Sequence, residues 1–169
     1  MVMPKFADLR AWRKQHGLSP QADIAIVSHN LDFPIPKELT ANGRKVVIFT
    51  TEQADAKKIK AVESDAVRVR VVGKNEVDGA QLIARSTELG YHTIYSGAGP
   101  QIMHVLLSSK VLNRLYLTQA NKLLGGDPYA SIVDGGLFDP PVNLRLNTIY
   151  WDAAGLDGLG QLFVSYDRG

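Results

Sequence analysis

The stretch Thr93 to Gln101, TIYSGAGPQ, carries the clearest chemical signal in the chain. A short strand that ends in Gly-Ala-Gly and opens a helix at Pro100 leaves bare backbone N–H groups at a helix N-terminus, where the macrodipole attracts an anion. Phosphate is the usual guest. Ser96, Gly97, Ala98, Gly99, Pro100 and Gln101 form the candidate cradle, with glycine useful because no Cβ blocks a ligand's approach to the backbone. The pattern is not the full G-x-G-x-x-G, since Met103 and His104 follow where that fingerprint has its last glycine. Such a turn also serves purely as a turn in many proteins, and the local sequence leaves both readings open.

Thr50 and Thr51 fall at the carboxyl end of a second strand, the place where open α/β sheets bind ligands. Their hydroxyls can donate to phosphate or ribose, while Thr50, with Gln53 three residues on, also fits a plain capping box. Ser28 ends another strand, followed by His29, and Val72 with Gly73 ends a third. Other chemistries lack their residues. The four histidines, His16, His29, His92 and His104, are scattered without metal-ligand spacing, so no metal site is expected. No G-x-S-x-G elbow exists to anchor a hydrolase triad. Asp134, Asp139, Asp152 and Asp157 sit in turn-like sequence, where Asp is ordinary.

The elements that must position these residues come from 169 residues, 45% hydrophobic and 21% charged. That suits one domain able to bury about two-thirds of its unfolded surface. With no cysteine, disulfide scaffolds, iron–sulfur clusters and thiol nucleophiles are excluded, and the composition suits a reducing cytoplasm. Nineteen basic against seventeen acidic side chains are too balanced for a nucleic-acid or membrane footprint. No apolar run approaches the ~20 residues of a membrane helix, and Met1 to Phe6 lacks the apolar core of a signal peptide. A cytoplasmic protein is expected.

Periodicity predicts an amphipathic helix over Pro4 to His16, with Phe6, Leu9 and Trp12 on one side. Strands are expected at Ala22 to Ser28, Lys45 to Thr50, Ala66 to Val72, Thr93 to Ser96 and Arg114 to Ala120. The first two are near-continuous apolar runs, the mark of parallel strands buried on two faces. The third alternates Val with Arg68 and Arg70, as an edge strand does. Helices follow Thr50 (to about Ser64), Asp78 as N-cap with Gly90 as C-cap, and Pro100. Val142 to Trp151 and Gln161 to Tyr166 read as two further strands, giving one mainly parallel sheet closed by a C-terminal antiparallel pair.

DIAIVSHNLDFP, then KVVIFTT, then IYSGAGPQIMHVLLSSKVLNRLYLTQANKLLGGDP, then the antiparallel pair, resemble in order the reductase domain of bacterial riboflavin biosynthesis, the dihydrofolate-reductase-like RibD C-terminal family. The resemblance covers nearly all of the chain as a single domain, 1–169, and implies an α/β, dihydrofolate-reductase-like fold. It implies an NADPH-dependent reductase of a ribosylaminopyrimidine or pteridine-like small molecule, working as a homodimer. Gly97 to Gln101 would then cradle the pyrophosphate, with Ser28, Thr50 and Thr51 at the adenosine end.

Two departures bear on catalysis. Family members carry Glu ahead of the glycines where this chain has Ser96, so no catalytic residue is assigned. The family also begins with a strand ending in Leu-Asp-Gly, interior to the sheet, and no such segment precedes Pro4. Loss of that strand would leave two strand edges open, so the chain is expected to be incomplete at its N-terminus, either as a fragment or as a natural short form whose gap a partner or a rearrangement closes. The alternative is a nucleotide-binding module of the same fold without catalysis.

Overall fold

The computed structural model describes residues 5–128 and 130–169. The chain divides into two compact units, Met1–Val77 and Asp78–Gly169.

In the first unit a helix α1, Lys5–Gln15, precedes the strand β1, Ile24–Val27. A one-turn helix α2, Lys37–Thr40, leads to β2, Val46–Thr50, and a helix α3, Ala56–Val62, crosses to β3, Val67–Val71. The three strands form a parallel sheet in the order β1-β2-β3, paired from Ile24 with Val46 to Val27 with Phe49 and from Val46 with Val67 to Thr50 with Val71. All five residues of β2 are buried, as its apolar run requires of a central parallel strand. Val46 and Ile48 join Leu31, Val67 and Val69 in the core, with Ile59 and Val62 of α3 packed against it. β3 is an edge strand whose Val67 and Val69 are buried while Arg68 is exposed, as its alternation implied.

Two expectations fail in this unit. Thr50 caps no helix, because it remains in β2 opposite Val71. Asp55 caps α3 instead, its side chain accepting from the Lys57 N–H. α1 does not bury its stripe: Leu9 and Trp12 are each 50% exposed, and Pro4 and the Phe6 side chain lie outside what is described.

In the second unit α4, Gly79–Glu88, is capped by Asp78, whose carboxylate accepts from the Gln81 N–H, and Gly90 follows it at φ +89°, both as expected. α5 spans Pro100–Ser108 with Pro at its start. The two helices approach closely at Gly79, where a Cβ would stand 2.8 Å from Ser109 Oγ. Three strands follow, β4 (Arg114–Ala120), β5 (Leu144–Asp152) and β6 (Gln161–Arg168), in the antiparallel order β4-β6-β5.

The α/β class, parallel sheet and C-terminal antiparallel strands are therefore as expected, but one continuous sheet is not. Thr93–Ser96 forms no strand, and Arg114–Ala120 pairs antiparallel with β6 in a sheet of its own. A β-prone tetrapeptide becomes a strand only where a neighbour takes up its backbone hydrogen bonds, and among the described residues Thr93–Ser96 has none.

Asp167 bolts the second sheet together. Its carboxylate accepts from Arg114 Nε of β4 at 2.6 Å and from Asn147 Nδ2 of β5 at 2.7 Å. Chiefly through the Arg114 hydrogen bond, this holds the Asp167 carboxyl below the usual carboxylate range. A depressed folded-state pKa stabilises the protein above the unfolded value of about 3.9, and that contribution disappears as pH falls through the folded value. Asp167→Asn is expected to lower the thermal midpoint at neutral pH, with the gap from wild type closing in acid. Equal midpoints at neutral pH would show that the bolt carries no stability.

Candidate functional site

The first unit gathers Ser28, Thr50, Thr51, Val72 and Gly73 at the carboxyl ends of its three strands. The Ser28 N–H donates to the Phe49 carbonyl at 3.0 Å, Val72 N–H to Thr50 O at 2.8 Å, and Glu52 N–H to Gly73 O at 3.0 Å. Gly73 adopts φ +140°, which a side chain would strain. Val72 is fully buried and offers a ligand no side-chain surface.

Thr50, the last residue of β2, and Thr51 just beyond it are both buried. Thr50 Oγ1 is one of two buried side-chain polar atoms without a hydrogen-bond partner among the described residues. An unpaired buried hydroxyl costs about 1–3 kcal/mol, so this strand end has hydrogen-bonding capacity left over. Thr51 Oγ1 lies 3.3 Å from His29 Nδ1, a pairing that sequence reading missed because a lone loop histidine gives no signal.

The loop carrying His29 is closely specified. Ser28 Oγ accepts from the Leu31 N–H at 3.1 Å, and Leu31 is buried at a left-handed φ of +56°. A leucine holds that conformation only where its surroundings over-determine it. Here the surroundings include Lys58, whose Nζ donates to Asn30 O and to Asp32 Oδ1.

Ser96 to Gln101 lie in the second unit, exposed. α5 begins at Gly99 with no side-chain cap, so its first N–H groups are offered outward. Gly99 has φ −72° and ψ −179°, extended backbone open to any residue, and a Cβ at Gly97 or Gly99 would meet nothing within 4 Å. Neither backbone strain nor packing calls for glycine at these two positions. What glycine does there is keep the helix start bare, which fits an anion such as a nucleotide phosphate.

His104 braces the same helix. Its ring stacks on Phe138 with centroids 4.9 Å apart, its Nε2 lies 3.0 Å from Gly136 O, and the Asp134 N–H donates to Pro100 O at 3.2 Å. The loop from Asp134 to Phe138 is thereby tied to the first turn of α5. Among the described residues, no group of three or more His, Asp or Glu stands close enough to hold a metal ion, and no helix is long and apolar enough to cross a membrane.

The RibD C-terminal domain matches residues 6–156 of this chain. The chain belongs to that family. The match supports a riboflavin-pathway pyrimidine reductase family. Among solved structures, a pyrimidine reductase-like protein from Corynebacterium diphtheriae is similar over 100% of this chain and 69% of its own, at 16% identity and TM-score 0.74. Two forms of RibD from Acinetobacter baumannii match all of this chain at 14% identity, with TM-scores of 0.53 and 0.51. This chain spans about half of their length, 52%. These likenesses establish the dihydrofolate-reductase-like fold. No curated protein matches the chain in sequence.

Proposed function

We propose that this RibD C-terminal domain is an NADPH-dependent reductase acting on a ribosylaminopyrimidine of riboflavin biosynthesis, in the cytoplasm. The observation that carries the reading is the uncapped start of α5, where two glycines stand that neither φ nor packing requires. Gly97 to Gln101 would hold the pyrophosphate on backbone N–H groups, with Ser96 beside them. As the resemblance implies, Ser28, Thr50, Thr51, Val72 and Gly73 would serve the adenosine, and Thr50 Oγ1 has no hydrogen-bond partner among the described residues. NADPH would supply the hydride, and the chain's task is binding and orientation.

Two copies would pair through β5. Its Leu146, Ile149 and Trp151 are 49–60% exposed and share one face by register, the kind of apolar stripe that a symmetric dimer covers.

Ser96 in place of the family's Glu favours a second reading, a nucleotide-binding module without turnover. One experiment separates the two. NADPH is titrated against the chain's tryptophan fluorescence, and its oxidation is then followed with a ribosylaminopyrimidine present. Saturable binding with oxidation supports the reductase, binding alone supports the module, and no binding ends both.

A further inference from the structure

The second sheet has an open face that none of the residues assigned above uses. Tyr116 and Thr148 are each paired with Ser165, and Tyr150 with Phe163, so alternation brings these side chains to one side. With Tyr95 they line a cavity of about 450 Å³, within the ~300–1,000 Å³ of small-molecule sites. The walls are aromatic. Tyr95 and Tyr116 have ring centroids 6.2 Å apart, and Tyr150 and Phe163 6.1 Å apart, each pair tilted by 35° or less.

The floor is polar. Thr148 Oγ1 and Ser165 Oγ lie 2.6 Å apart, and Ser165 is 5% exposed. Whichever hydroxyl donates, the other keeps a proton and lone pairs for a guest. None of the lining residues is charged, which suits a neutral guest, since a charged one would lose hydration without gaining a counter-ion.

A β-bulge builds this floor. The register shifts between Leu146 and Thr148, and Asn147, the extra residue, is held by Asp167. Thr148 rather than Asn147 consequently stands opposite Ser165. Bulges that re-aim a side chain in this way are concentrated beside functional sites.

We propose that this cavity binds a flat, uncharged heteroaromatic ring, its faces against the two aromatic pairs and its polar edge on the Thr148 and Ser165 hydroxyls. Tyr95 stands two residues before Gly97, so the cavity and the glycine turn share one segment. Taking the ring to be the substrate's own pyrimidine rests on the reductase reading above.

The test titrates the whole chain with uracil, and with 5,6-dihydrouracil as the puckered counterpart, by ligand-observed NMR. Uracil is expected to bind and dihydrouracil to bind at least fivefold more weakly. Tyr150→Ala, at a side chain 65% exposed and so tolerable to the fold, should weaken uracil about fivefold or more through lost stacking. Thr148→Val, which removes only the hydroxyl, should weaken it roughly three- to tenfold. No uracil binding, or equal binding by wild type and a folded Tyr150→Ala protein, overturns the proposal. A second copy seated on this face would also overturn it, seen as a lower sedimenting mass in Tyr150→Ala without uracil binding in wild type. NADPH is titrated in parallel. Uracil binding without NADPH binding keeps the cavity and ends the reductase reading, whereas NADPH binding with uracil affinity indifferent to both substitutions ends the cavity alone.

Discussion

Gly99→Val is expected to weaken NADPH binding about tenfold or more, a loss of ~1.4 kcal/mol, while leaving the thermal midpoint of the ligand-free protein where it is. The two halves of this expectation have separate causes. A residue before proline is confined to extended backbone, and Gly99 is already there at φ −72° and ψ −179°, so valine is accepted without strain. Its branched side chain would enter space that is open for 4 Å around the Cβ position. On the proposed reading, that space is where the phosphate would come to reach the first N–H groups of α5. A folded Gly99→Val protein with unchanged NADPH affinity would remove the phosphate from this turn, and the reductase reading would lose its main support.

Ile48→Ala should be a costly core substitution in the first unit. Ile48 is fully buried on the central strand of a three-stranded sheet and packs in one cluster with Leu31, Val46, Val67 and Val69. Truncating a buried isoleucine removes its transfer free energy and leaves a cavity, together about 2–5 kcal/mol. Against a typical total of 5–15 kcal/mol, such a loss moves a urea midpoint far beyond experimental error. Leu31 makes relaxation of the cavity harder, since its left-handed φ of +56° is held by Ser28 Oγ and by the core itself. A loss under ~1 kcal/mol would mean that the cluster repacks freely, and the loop bearing His29 would then be less rigid than its contacts imply.

The sequence disclosed those features that depend on neighbours a few residues away. β1 and β2 follow their apolar runs, and β3 its alternation, to within two residues at either end, and Asp78, Gly90 and Pro100 mark helix ends as their chemistry dictates. Features that depend on distant partners were not disclosed. Thr50-x-x-Gln53 and Asp55 are both sound local capping signals. What decides between them is the pairing of Thr50 with Val71, which no local window contains. Thr93–Ser96 failed as a strand for the same reason. The glycine turn was legible as a pattern, whereas the bond between Thr51 and His29 and the aromatic cavity were not. The cavity did leave a trace, since aromatic and hydroxyl residues alternate with period two at Tyr116 and Thr118, Thr148 and Tyr150, and Phe163 and Ser165.

The strand order β4-β6-β5 makes the last strand of the chain the central one. During synthesis β4 leaves the ribosome before β6, its partner among the described strands, has been made, and β5 follows in the same condition. β6 begins about 40 residues after β4 ends, a delay on the order of 2–8 s at ordinary elongation rates of ~5–20 residues per second. Tyr116 stands throughout that interval, and Tyr150 and Trp151 for its last few residues, on strands with unsatisfied edges, which nascent chains nearby can join. The parallel sheet has a shorter wait than β4, because each of its strands joins the next strand made. The second half of this protein is thus the part whose folding waits longest on translation, and a stop codon between Asp152 and Gln161 would leave two orphan strands rather than a smaller sheet.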